Sequence, residues 1–398
     1  MRSSRPPTLF PDGLFRWLIL FPSVLNAADP AAPLTLRLNR PGAFQVVQRS
    51  RTGQGRIEVS GDLSQTIAKS AVVETRVTQD ATSGPWNLLQ NIPPGTTHFT
   101  GTREISAPGW VELEIRIRVD GSPDLQMKVQ PVGVGEVFLV TGQSNSANHG
   151  EERQKVQSTW VSAAKPDGTW RRADDPQPGA SGEGGSFIPT LGDLLGEKLK
   201  VPIGFISVGV GATSVREWLP AGTRFPNPPT LIGNVEPAPE GGWRSRGELY
   251  SRLVDAARRS GGMRAVLWHQ GESDARQSDP SRTLSGGLYQ EHMRQLIASF
   301  RRDTGLDAPW MVAAVSYHTP EDTGSPDIRA AQRALWVSGT ALEGPDSDAL
   351  AGELRDGNGR GIHFSGPGLR AHGKAWSERI LPWLDRVFPA PERVSLWR

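Results

Sequence analysis

At Val132-Gly-Val-Gly-Glu136 the chain changes its hydrophobic period, and that change constrains the fold more than any other feature. Before it the period is two. Val111-Glu-Leu-Glu-Ile-Arg-Ile-Arg-Val119 alternates apolar and charged residues without a fault, the pattern of a strand buried on one face. Asp120-Gly121-Ser122 supplies turn chemistry, and Leu125, Met127 and Val129 resume the alternation, so the two runs predict a hairpin. Leu34–Leu38, Phe44–Val47, Arg56–Ser60 and Ala71–Val77 read as further short strands between Gly and Pro residues. Strands at this spacing predict an antiparallel β-sandwich of about 100 residues, assigned to 29–132. His98, Trp86 and Trp110 in this part read as packing residues.

After the change, strand-like and helix-like segments alternate. Val137-Phe-Leu-Val140 is a continuous apolar run that ends in Thr141-Gly142-Gln143-Ser144-Asn145, as a buried parallel strand emptying into a loop does. Helical spacing follows at Thr190–Lys200, Glu248–Ser260, Leu288–Arg301, Ile328–Trp336 and Leu369–Asp385. Strand-like runs lie between them at Pro202–Val208, Ala265–Trp268 and Met311–Val315. Repeated β–α units predict a parallel sheet covered on both faces, over 133–390. The Pro/Gly-rich stretch Pro220–Gly242 reads as a long irregular loop of the kind that walls a pocket.

Composition narrows the function. The formal charge is +2, and Arg2, Arg5 and Arg16 against Asp12 put all of it in the first 28 residues. The remainder is neutral, which gives no footing for nucleic acid or an anionic membrane. There are no cysteines, so disulfides, thiolate metal sites and a cysteine nucleophile are excluded. Residues 1–28 combine a basic lead, the apolar Trp17–Phe21 core running on to Leu25, and small residues Ala27 and Ala28, the layout of a cleaved signal peptide. The expectation is an exported protein, secreted or periplasmic, soluble after cleavage and of bacterial type.

Three polar motifs sit at the ends of candidate elements: Gly142-Gln-Ser-Asn145, His269-Gln-Gly-Glu272 and the late Gly361-Ile-His363. A serine, a carboxylate and a histidine make a nucleophile, an orienting group and a base. Alone, Ser144 reads as a turn residue or helix N-cap sooner than as a nucleophile, and the motif is not a G-x-S-x-G elbow, since residue 146 is serine. His149 and His269 are isolated and no ligand set has metal spacing, so neither metal nor cofactor is expected.

In these motifs and their order the chain resembles the SGNH (GDSL-like) hydrolases, in particular the sialate O-acetylesterase and acetylxylan esterase branch, carbohydrate esterase family six. The resemblance covers roughly the last two thirds of the sequence. It implies a flavodoxin-like parallel sheet with helices on both faces, and a serine esterase that removes acetyl groups from carbohydrates. Ser144 becomes the nucleophile and His363 the base. SGNH enzymes commonly carry Asp three residues before that histidine; here the position is Arg360, which cannot accept the imidazole N–H. Three arrangements are open: Glu272 as the acid, which the resemblance favours, Asp356 looping back, or a Ser–His dyad. The oxyanion hole is expected from backbone N–H groups of Ser144 and Gly211, with Gly209 as the alternative, and from the Gln270 side chain. Asn148, His269 and Trp218 are candidates for substrate binding, and Asn145 and Asp274 for fixing the loops around Ser144. Competing readings are a non-catalytic glycan-binding or cell-surface protein that keeps the fold, and a lipase-like or thioesterase enzyme.

Overall fold

The computed structural model describes residues 33–105, 108–121 and 123–388. The candidate signal peptide lies outside them. The alternating N-terminal region forms β1 (Leu36–Arg40), β2 (Val46–Gln48), β3 (Gly55–Leu63), β4 (Ala71–Gln79), β5 (Thr82–Ser83), β6 (Asn87–Ile92), β7 (His98–Ile105), β8 (Gly109–Val119) and the 18-residue β9 (Leu125–Gly142). Strands β1, β3 and β7 make one antiparallel sheet; β6, β4, β8 and the first half of β9 make another. The two sheets touch: a Cβ at Gly55 of β3 would strike Val134 of β9, and one at Gly101 of β7 would strike Leu89 of β6. Val111, Leu113, Ile115 and Ile117 of β8 are buried, as their period predicts.

The expected boundary near 132 falls inside β9, which crosses from the antiparallel sheet into the parallel one without a break. Glu136 marks the crossing. Its fully buried carboxylate takes Arg49 at 2.7 Å, Gln48 at 2.9 Å and Arg264 at 2.6 Å, so both regions supply its partners.

The remaining strands are β10 (Val161–Ala164), β11 (Trp170–Arg172), β12 (Ile203–Ser207), β13 (Arg224–Phe225), β14 (Val235–Pro237), β15 (Trp243–Ser245), β16 (Ala265–His269), β17 (Trp310–Ala314) and β18 (Leu342–Asp346). Parallel pairing runs β12-β9-β16-β17-β18, with β10 and the antiparallel β11 added beside β12. In chain order those five strands are 2-1-3-4-5, and the direction of winding reverses between β9 and β16. Helices α1 (Ile188–Leu199) and Gly366–Val387 cover one face, with Leu191, Leu195, Trp376 and Ile380 packed on Phe138 and Val140. Helices α2 (Glu248–Ser260), α3 (Gly286–Thr304) and α4 (Pro326–Val337) cover the other, with Leu253, Leu296 and Leu335 in the same core as Val137 and Leu139. Alternate residues of one strand thus feed two cores, which is why Val137–Val140 is apolar throughout.

The segment 220–242 is not wholly irregular. With β15 it forms a small antiparallel sheet, β13-β15-β14. It is pinned by Asn234, whose side chain donates to the Glu217 carboxylate at 2.9 Å. No described helix is long and apolar enough to cross a membrane.

Candidate active site

Ser144 follows β9 at the point where the winding reverses, the place where a doubly wound sheet opens a crevice at its carboxyl edge. Gly142 turns the backbone there at φ 125°, and a Cβ would collide with the His269 carbonyl. Ser144–Ser146 is a 3₁₀ turn with Gln143 as its uncapped N-cap. Ser144 is 4% exposed, and among the described residues neither its hydroxyl nor its N–H meets a hydrogen-bonding partner. Asn145 donates to the Ile362 carbonyl at 3.1 Å and to Glu272 Oε1 at 3.0 Å. The residue after the serine is thereby tied to the residue before His363.

His363 sits on a loop that closes on itself. Asp356 N–H donates to the His363 carbonyl at 3.0 Å, and His363 N–H to Asp356 Oδ1 at 3.1 Å. The other carboxylate oxygen lies 3.5 Å from the imidazole Nδ1, a long approach for a hydrogen bond. The intervening Gly357, Asn358 and Gly359 all have positive φ, and a Cβ at Gly361 would collide with the Asp356 carboxylate. Contact with His363 holds the Asp356 carboxyl below its ordinary range, so it is ionised at neutral pH. Arg355 anchors the loop from beneath. Its buried guanidinium donates to the carbonyls of Ser347, Leu350 and Ile362 at 2.6–2.8 Å and lies over the rings of Tyr317 and Phe364.

Glu272, the acid favoured at the sequence level, is not within ion-pairing distance of His363; the group that is, Asp356, was the second arrangement. Glu272 is 1% exposed, accepts from Asn145, and its Oε2 has no partner. Burial pushes its carboxyl up, favouring the neutral form. Arg360, which occupies the usual acid position, points away to Glu321 at 3.4 Å.

The other sequence-level candidates divide in the same way. Gly211 is not free as an oxyanion donor, because its N–H donates to Ser181 Oγ at 2.7 Å. Gly209, the alternative, has an N–H without a partner among the described residues, and a Cβ there would strike Ser146. The Gln270 amide is spent on Asp274 at 2.7 Å and the Thr213 carbonyl at 3.1 Å, at zero exposure, so it braces a loop. Trp218 is a core residue, edge-on to Trp268 and donating to Thr213 at 2.9 Å, with no face for a sugar. His269 is sealed in, bonded to Ser347 at 2.9 Å, and burial pushes it down to about 3. Asn148 ties its loop to Gln177 in both directions, at 2.6 and 3.0 Å, and is likewise buried. Asp274, expected to fix loops, receives Ser214 at 2.5 Å, the Val215 N–H at 2.8 Å and Arg216 at 3.2 Å.

His149, which the sequence places near a strand end where it could line the pocket, stands beside His363. Its ring stacks on His363 with centroids 5.4 Å apart, and its Nε2 lies 3.0 Å from Ser181 Oγ. Ser181 Oγ also accepts from the Gly211 N–H, so one hydroxyl ties the His149 ring to the Gly-rich turn. Burial and the adjacent imidazole keep His149 neutral by lowering its pKa.

Fold and site together define a doubly wound α/β protein with a serine turn at its switch point and a histidine–aspartate pair beside it. Residues 134–381 match the family described as carbohydrate esterase, sialic acid-specific acetylesterase, and the chain belongs to that family. A probable carbohydrate esterase of Arabidopsis thaliana is 27% identical over 207 residues, which span 47% of this chain and 70% of the relative. Among solved structures, a carbohydrate acetylesterase from Xanthomonas citri shares 17% identity over 84% of this chain and 72% of its own, with a TM-score of 0.50. NanS shares 17% identity over 63% of this chain and 98% of its own, at a TM-score of 0.41. At 17% identity the likeness to the Xanthomonas citri structure is one of fold.

Proposed function

We propose that the protein is a serine esterase that removes O-acetyl groups from a carbohydrate by way of an acyl-enzyme. Ser144 Oγ attacks the ester carbonyl while His363 takes its proton. The imidazolium then protonates the departing sugar oxygen, and water enters through the same histidine to release acetate. Asp356, ionised and against Nδ1, orients the ring and stabilises its charged form. The N–H groups of Ser144 and Gly209 are the donors for the oxyanion; losing one such donor typically costs about 2.7–4 kcal/mol of transition-state stabilisation.

The observation that carries this reading is the Asn145–Ile362 bond, which joins the serine turn to the histidine loop across 217 positions of sequence. Family membership supports the carbohydrate ester as substrate. The test is hydrolysis of a fluorogenic acetate ester by the wild type and by Ser144→Ala. Turnover in the first and its loss in the second are expected. An inactive wild type would favour a glycan-binding protein that keeps the fold. Faster cleavage of long acyl esters than of acetates would move the substrate to lipids or thioesters.

A further inference from the structure

A cavity of about 210 Å³ lies between the N-terminal strands, the β10–β11 hairpin and helix α2, apart from the Ser144 crevice. Its size is below the about 300 Å³ at which pockets for drug-sized ligands begin, a scale suited to one sugar unit. The floor is apolar, with Ile206 and Val208 from β12 and its continuation and Ala256 from α2. Trp170 stands at the wall, half-buried and packed against β12 where a Cβ at Gly204 would meet its ring.

Charge sets this cavity apart. Four cations line it, Arg40, Lys165, Arg252 and Arg259, against one carboxylate, Asp167. Asp167 is engaged with Thr169, from which it accepts at 2.7 and 2.9 Å. Arg40 has Glu58 at 3.4 Å. Among the described residues neither Lys165 nor Arg259 forms an ion pair within 4 Å, though Lys165 stands near enough to Asp167 to favour its ionised form, and Arg252 donates only to the Gly179 carbonyl. In a chain whose formal charge is only +2, four cations against one carboxylate around one apolar-floored cavity are an unbalanced concentration.

We propose that this cavity binds a carboxylate-bearing sugar unit, a uronic acid, at a site separate from the serine centre. Guanidinium groups take a carboxylate in bidentate fashion, and an ammonium adds a point charge. The apolar floor and the indole receive the C–H face of the ring, which a bare inorganic anion does not need. The segment Pro178–Ser181 separates cavity from crevice: Gly179 lines the cavity, while Ser181 bonds His149 and Gly211. The binding does not depend on hydrolysis.

Isothermal titration of full-length Ser144→Ala with sodium glucuronate, methyl glucoside and inorganic phosphate tests the proposal whether or not the protein is an esterase. Glucuronate should bind, more weakly as salt is raised, and methyl glucoside should not. In the same background Lys165→Gln/Arg259→Gln should weaken glucuronate about tenfold or more, with unchanged melting temperature because both side chains lie at the surface. Equal binding of methyl glucoside, phosphate binding as tight as glucuronate, unaltered affinity in the double variant, or no glucuronate binding would each overturn it.

Discussion

Two loops leave the same edge of the sheet and carry a carboxylate towards the serine turn, yet they are built in opposite ways. The loop after β16 is sealed: His269, Gln270, Glu272 and Asp274 are at most 1% exposed and bonded mainly to one another's loops. The loop 355–364 is sealed only at its root. Arg355 is buried beneath it, while His363 and Asp356 keep about a quarter of their side-chain surface. A carboxyl group that must stabilise an imidazolium has to be ionised, and a half-open site permits that. One that braces a dry loop is more stable neutral, and burial drives Glu272 that way. Similar residue types are therefore held towards different charge states according to how much water reaches them.

The sharpest way to break this contrast is to remove one charge from each loop. Asp356→Asn should lower kcat on an acetate ester by about 10³–10⁴ while leaving the fold intact, judged by circular dichroism. If that variant turns over like wild type and Glu272→Gln does not, the roles are reversed. Arg355→Met leaves the Ser347 and Leu350 carbonyls without a donor and Ile362 with Asn145 alone, and should cost about 3 kcal/mol or more in urea unfolding. Glu272→Gln is close to isosteric with the protonated side chain and should keep kcat within about threefold, with the Asn145 bond still made.

The smallest effect concerns a third carboxyl of the sealed kind. Burial pushes Glu217 up to about 7 from its ordinary 4.5, so the folded state holds a proton that the unfolded chain releases. Its stabilising contribution is complete below the unfolded value and is lost as pH rises to about 7. Melting temperatures of wild type and Glu217→Gln between pH 5 and pH 7.5 test this. The wild type should lose more across that interval; equal slopes would remove Glu217 from the sealed class.

Much of this was legible in residue pattern. The period-two hairpin at 111–129 and the helices of the second half lie where spacing puts them, with ends shifted by a few residues. The serine turn was marked by an apolar run meeting Gly142. What pattern could not supply was distance. Nothing in His269-Gln-Gly-Glu272 distinguishes a carboxylate facing His363 from one facing Asn145, since both lie at the same sheet edge. The closing of Asp356 onto His363 depends on Gly357, Asn358 and Gly359 all being left-handed, a run that marks a turn without saying where it returns. Trp218 could not be placed on a surface or in a core by spacing, because a single aromatic beyond a Gly-rich turn suits either. The small sheet that 220–242 forms with β15 left no trace in the pattern because its strands have only two or three residues.

The unbroken run of β9 through residue 132 also limits how the molecule can be cut. A fragment starting at 133 would begin in mid-strand, losing β2 and β8 from the flanks of Val134 and leaving backbone donors and acceptors exposed. It would also strip Gln48 and Arg49 from Glu136, leaving Arg264 alone on a carboxylate eight residues upstream of the serine. Trimming the chain to its family-matching part would thus injure the strand that leads into Ser144.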